Sequence, residues 1–313
     1  MNSESNKNKS YNIFESIKSK YILKLFLNNL QKNKLLKIIK YNKDIQNRID
    51  ININYYKKYV EILSPIVVEI IPCKNKYDKF INYFGIEESF YHIFFDKSKV
   101  EIKKNKLNPD NKIKKIKIII DHQVKSFKGL FEYCKCIEKI DFKKFYRNNI
   151  NDMSYMFTGC SSLKEINLSK FNTNNVVDIS NMLWGYISLI KLDLSNFNTI
   201  NVTNMSSMFS RCSSLKEVNI ENLHTDNVTS MSCMFSGCSS LRVLNLSSFR
   251  IDNLEDMNFM FSGCSSLKEI NFPNFNSNIT NMSCMFLGYP TGLKMKINAP
   301  QYLIHNANIC KKI

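Results

Sequence analysis

The chain is poor in the residues that break, rivet or arm a fold. In 313 residues it has 8 Gly, 6 Pro, 4 His and 1 Trp. The histidines, His92, His122, His224 and His305, form no pair at ligand spacing. There is no Gly-rich phosphate loop, no Ser/His/Asp or Cys/His order, and no paired-carboxylate motif. These absences predict a protein that is not an enzyme and that uses no cofactor and no metal. Long apolar runs are missing too. The longest, Tyr21 to Leu27, is interrupted by Lys24 and is far too short to span a bilayer. The opening Met1 to Ser10 is polar and has no signal-peptide pattern. The expectation is an intracellular, cytoplasmic protein, at the surface only by an unconventional route, whose 10 Cys stay mostly reduced.

What is abundant is Lys, Asn and Ile. The net charge is +17 and uneven: residues 1–121 carry 25 Lys+Arg against 13 Asp+Glu, and residues 122–313 carry 19 against 14. A basic excess can mark a nucleic-acid or anionic-membrane partner. The same bias runs through the whole chain, as it does when coding DNA is rich in A and T, and it is read here as compositional.

Taken in order, residues 1–10 read as a polar tail and 11–104 as a small helical or mixed domain. Ile13, Phe14, Ile17, Tyr21, Leu25 and Phe26 recur at helical spacing, as do Leu35, Leu36, Ile38, Ile39, Ile45 and Ile49. Leu23 to Leu30, Leu35-Leu36 and Lys43 to Ile49 loosely resemble the F-box, which implies a ubiquitin-ligase subunit as partner; the Leu-Pro that usually opens an F-box is absent. Ile66 to Ile71, a β-branched run before Pro72, predicts a strand. Tyr77 to Tyr83 predicts a short helix, and Phe90 to Phe95 core or strand. Lys103 to Lys112, with Asn108-Pro-Asp-Asn111, reads as a turn-rich linker and domain boundary. Ile113, Ile116 and Ile118 suggest the first strand of a repeat array over 113–300, with 301–313 as a tail.

The array is the strongest signal. Equivalent positions fall at Phe127, Met153, Ile179, Met205, Met231, Met257 and Met282, spaced by 26 residues five times and then by 25. Each unit has a Met-x-x-Met-Phe-x-x-Cys segment, as at Met231, Met234, Phe235 and Cys238. Those offsets share one face of a helix. Ser126, Asp152, Asp178, Asn204, Ser230, Asp256 and Asn281 precede it as N-caps, and Gly159, Gly185, Gly237, Gly263 and Gly288 follow as positive-φ stops. A helix of one to two turns is expected. The second pattern, Leu163, Ile166, Leu168 and Phe171, alternates like a half-buried strand. Arg211 stands where other units have Gly.

The unit Asn204 to Ile220 resembles the BspA-like leucine-rich-repeat family. The resemblance covers about 127–297 and implies an α/β leucine-rich-repeat solenoid, a parallel strand ladder with short helical turns, that binds other proteins. The unit 179–186 departs from it, placing Leu183 and Tyr186 in the Phe and Cys positions. The Cys column (Cys134, Cys160, Cys212, Cys238, Cys264) and the Met columns are read as core, and Cys134-Lys-Cys136 as no zinc site. The outward strand residues are the candidate partner-binding surface on the concave face: Asp141, Glu165, Asn167, Lys191, Asp193, Glu217, Asn219, Asn245, Glu269 and Asn271. Their mixed signs argue against a nucleic-acid groove. The expected function is a protein-interaction scaffold, with a ubiquitin-ligase adaptor or a surface adhesion protein as alternatives.

Overall fold

A computed structural model of the chain describes residues 17, 19, 42–48, 64–83, 88–110, 112–121, 123–273, 279–288 and 294–296. The chain divides into two compact units, Met1–Leu63 and Ser64–Ile313. In the first, the described secondary structure is one short helix, α1 (Lys43–Arg48). Asn42 Oδ1 caps it by accepting the Ile45 N–H at 3.0 Å, and Arg48 pairs with Asp44 one turn back at 3.6 Å. The other helical readings within 11–60, the F-box-like one included, lie outside the described residues, as do the tails 1–10 and 301–313.

The second unit opens with strands β1 (Ile66–Pro72), β2 (Tyr91–Phe95), β3 (Ile116–Ile120) and β4 (Ile137–Lys144), joined by the first repeat strand β5 (Glu165–Asn167). Their order is β2-β3-β1-β4-β5, antiparallel except for the parallel β4–β5 pair. Period-two alternation makes them strands: Ile66, Val68 and Ile70 bury on one face beside Ile116, Ile118 and Ile120. Three expectations are revised here. Ile116–Ile120 is a strand, but it pairs antiparallel to its neighbours and starts no parallel array. Residues 77–83 are irregular rather than helical: the Phe80 N–H bonds Asn105 O at 2.9 Å and the Asn82 N–H bonds Leu130 O at 2.8 Å. The turn-rich stretch near 103–112 lies inside this unit, with Leu107 buried and Lys106 bridged to Lys79.

The expected α/β leucine-rich-repeat solenoid is not what forms. Among the described residues the second unit has no α-helix, only the 3-10 turn Glu88–Phe90. The remaining repeat strands are three residues each: β6 (Lys191–Asp193), β7 (Glu217–Asn219), β8 (Val243–Asn245), β9 (Glu269–Asn271) and β10 (Lys294–Lys296). They form a two-stranded sheet, β6-β7, and a three-stranded sheet, β8-β9-β10. The strands therefore make small separate sheets, one of them mixed, in place of one parallel ladder. A three-residue strand offers too few ladder bonds to enforce continuity by itself.

The Met-x-x-Met-Phe segments are chains of tight turns. In the Met205 unit the N–H groups of Met208, Ser210 and Cys212 bond the carbonyls of Met205, Ser207 and Phe209 three residues back. The alternate N–H groups, Met205, Ser207, Phe209 and Arg211, leave the segment for Ser230, Ser232, Met234 and Ser236 in the next unit, at 2.6–3.0 Å. A helix would spend all of these donors internally. Two residues per segment must also be left-handed, such as Ser207 (φ 56°) and Arg211 (φ 61°), or Cys233 (φ 55°) and Gly237 (φ 73°). The expected N-cap residues do accept a nearby N–H, as in Ser206 N to Asn204 Oδ1 at 3.0 Å, but they cap a turn. One parallel bridge per unit, Ser126↔Asp152↔Asp178↔Asn204↔Ser230↔Asp256↔Asn281, runs where the strands do not.

The inward pattern holds. Met205, Met208, Phe209, Cys212 and Leu215 are fully buried, as are their counterparts Met231, Met234, Phe235, Cys238 and Leu241. Phe209, Phe235, Phe261 and Phe286 stack from unit to unit at 5.2–5.9 Å. One continuous core runs from Ile66 to Phe286.

Candidate functional site

Each short strand from β5 to β9 buries its middle or flanking residues and turns two side chains outward. That places Glu165, Asn167, Lys191, Asp193, Glu217, Asn219 and Asn245 exposed, with Asp141, Glu269 and Asn271 half-buried. The first outward column is a set of ion pairs across units: Lys139 with Glu165, and Lys191 with Glu217 at 2.6 Å. Lys164 and Glu138 add a third at 3.1 Å.

The second column is built differently. Asn167 donates to Asp141, and Asn219 to Asp193, both at 3.2 Å. The same side chains also close the turn after each strand: Asn167 Oδ1 accepts the Ser169 N–H at 3.0 Å, Asp193 Oδ1 the Ser195 N–H at 2.9 Å, and Asn245 Oδ1 the Ser247 N–H at 3.1 Å. The Ser195 backbone N–H holds the Asp193 carboxyl below its usual range, so Asp193 is an anion at neutral pH.

Two open grooves cross this face. One, of about 570 Å³, is lined by Lys191, Leu192, Asp193, Glu217, Val218, Asn219, Ile220, Glu221 and Asn245. The other, of about 340 Å³, is lined by Lys139, Asp141, Lys164, Glu165, Ile166, Asn167, Leu189 and Lys191. They meet at Lys191. Eight of the ten expected site residues line them; Glu269 and Asn271 do not.

The other candidates resolve as architecture. The buried Cys160, Cys212, Cys238 and Cys264 each donate S–H to a carbonyl of the preceding unit (Phe131, Leu183, Phe209 and Phe235) at 3.0–3.2 Å. Burial pushes the thiols of Cys160, Cys212 and Cys264 up to about 12. Cys284 is disulfide-bonded, whereas the other eight described cysteines are free. Among the described residues no three His, Cys, Asp or Glu side chains are placed to hold a metal ion, and no helix is long and apolar enough to cross a membrane.

Sequence reading missed two ladders. Asn175, Asn201, Asn227 and Asn253 each donate Nδ2–H to a carbonyl of the preceding unit at 2.6–2.8 Å. Buried Thr199 and Thr225 donate to His224 O and Arg250 O in the next unit, both at 2.7 Å. The signal was a 26-residue spacing of identical polar residues, the same kind of signal as the apolar columns.

Identical hydrogen bonds repeated at one interval define a repeat protein. Three overlapping stretches, residues 106–191, 125–219 and 185–298, match the family described as Mycoplasma protein of unknown function, DUF285. Together they cover more than half of the chain, which belongs to that family. No curated protein and no solved structure matches it.

Proposed function

We propose that this protein is a non-enzymatic scaffold that binds a protein partner across its strand face. The observation that carries the reading is the pair of grooves meeting at Lys191, lined by the outward residues of successive units. Shallow, open and polar, they suit an interaction surface better than a small-molecule pocket, which is enclosed and mostly apolar. The Met-x-x-Met-Phe-x-x-Cys unit supports it through its likeness to BspA-like repeats, for which protein recognition is the expected role. The intracellular expectation stands with it as part of the proposal.

The test is site-specific photo-crosslinking in the native cell. A crosslinker at Asn219 should capture a discrete protein, whereas one at exposed Asn253, in the unit-joining ladder, should not. Charge reversal at Lys191 (Lys191→Glu) and at Glu217 (Glu217→Lys) should each weaken the captured complex at least tenfold, about 1.4 kcal/mol. Unchanged affinity in both would sink the assignment of this face.

A further inference from the structure

Comparing the units with one another singles out the third, which departs from the others at three positions from its turn to its strand. At the positions of Ser210, Ser236 and Ser262 the third unit has Trp184. At those of Ser213, Ser239 and Ser265 it has Ile187, and at those of Lys216, Arg242 and Lys268 it has Ile190. These changes add nothing to the core, because Ile187 is 48% exposed and Ile190 53%. Tyr186 and Leu189 between them are buried, so the three apolar residues share the outer surface.

The three residues are bordered by cations. The Arg211 guanidinium of the next unit lies 5.1 Å from the Trp184 ring centre. At the other end the Lys216 N–H bonds Ile190 O at 2.9 Å, which sets Lys216 beside Ile190. Neither Arg211 nor Lys216 has a carboxylate at ion-pair distance among the described residues. Neighbouring Lys164 and Lys191 are already neutralised by Glu138 and Glu217. Ile190 adjoins Lys191, where the two grooves meet. A partly exposed Trp beside an Arg is the pairing of residue types enriched in interface hot spots.

We propose that Trp184, Ile187 and Ile190, flanked by Arg211 and Lys216, are the anchor of the strand-face interface, and that they take a protein segment carrying apolar side chains beside carboxylates. This rests on the strand-face reading and adds the partner's chemistry to it. Apolar side chains of the segment cover the isoleucines and the indole edge, and its carboxylates pair with Arg211 and Lys216. An oppositely charged segment would set like charges against Arg211 and Lys216.

Trp184 is the one tryptophan of the chain, so its fluorescence reads the patch directly. The full-length protein is titrated with a synthetic 12-residue peptide alternating Glu with Leu and Phe. Its two controls replace Glu by Lys, or Leu and Phe by Ser. The expected result is a blue shift of Trp184 emission with the first peptide, weakened by added salt, and a response at least tenfold weaker with either control. Ile187→Ser with Ile190→Lys installs residues used by the other units, so the fold is kept. That variant should lose the response at least tenfold, and thermal melting confirms its integrity. No response to the acidic apolar peptide, equal binding by the variant, or preference for the Lys peptide would each overturn the proposal. Lys191→Glu separates the two readings. If crosslinking from Asn219 and its sensitivity to Lys191→Glu persist while the patch variant has no effect, the strand face stands and the anchor is wrong. If the peptide response survives in the absence of any strand-face complex, the patch binds on its own and the wider reading fails.

Discussion

Arg211 shows how two local effects oppose each other at one residue. Its φ of 61° puts a side chain in the left-handed region, which costs about 1 kcal/mol relative to Gly. Its guanidinium over Trp184 returns roughly 0.5–1 kcal/mol. Arg211→Gly should therefore be nearly neutral in the native sequence and should stabilise by about 1 kcal/mol once Trp184→Ser has removed the ring. Thermal melts of the four proteins in this cycle decide it; destabilisation in the Trp184→Ser background would show that backbone strain is not the controlling term. The buried thiols make a second prediction. Cys212 and Cys264 sit at about 12, raised by burial. In the unfolded chain a thiol titrates near 8.5. Between these values the unfolded state has lost protons that the folded state keeps. The thiols' contribution is thus complete below about pH 8.5 and falls as pH rises toward 12, by up to about 1.4 kcal/mol per pH unit for each thiol. Urea melts at pH 8, 9 and 10 should show this decline, less steep in Cys212→Ala and Cys264→Ala.

The turn segment is the element at which sequence and structure part. Offsets of three, four and seven residues put Met205, Met208, Phe209 and Cys212 inward, and all four are buried. That face was legible. The backbone was not, because a run of tight turns buries the same offsets as a helix. Gly237 signalled a left-handed position, but Ser207 and Cys233, equally left-handed, gave no such sign. The deciding fact was tertiary: a carbonyl in the next unit takes every second N–H, so the segment has no need to close on itself. Substitution distinguishes the two geometries. In a helix Gly237→Ala would stabilise by about 1 kcal/mol and Ser207→Gly would destabilise. In these turns the signs reverse. Gly237→Ala, with its new Cβ 3.4 Å from Arg211 Cα, should cost about 1–2 kcal/mol. Ser207→Gly should gain up to about 1 kcal/mol. Equilibrium urea unfolding of the two variants tests both signs. The strand columns were legible for the same reason as the core face, since period-two alternation has one meaning in a three-residue strand. The breaks between β5 and β6 and between β7 and β8 depend on bonds that a single unit does not encode.

At the scale of the molecule, cohesion comes from many weak columns in register. Backbone bonds join equivalent turn residues, the thiols of Cys212 and Cys238 reach back one unit, and Asn201 and Asn227 do the same on another side. No single column runs through the strand positions, yet the bridges from Ser126 to Asn281 are continuous. A structure so held should tolerate loss of a whole period and not of half of one. Deleting residues 205–230 joins Asn204 to Met231, the same cap-to-anchor step found in every unit, and leaves each column intact on both sides. Deleting 205–217 joins Asn204 to Val218, which sets strand residues against turn residues in all later units. The first variant should unfold cooperatively in urea with a smaller m-value, in keeping with the surface removed. The second should lose the unfolding transition of everything beyond Asn204. Equal behaviour of the two deletions would mean that contacts within units, rather than the register between them, carry the stability. The contact geometry argues against that: the turn's alternate N–H groups, the Cys thiols, the Asn amides and the Thr hydroxyls all find their partners one period away.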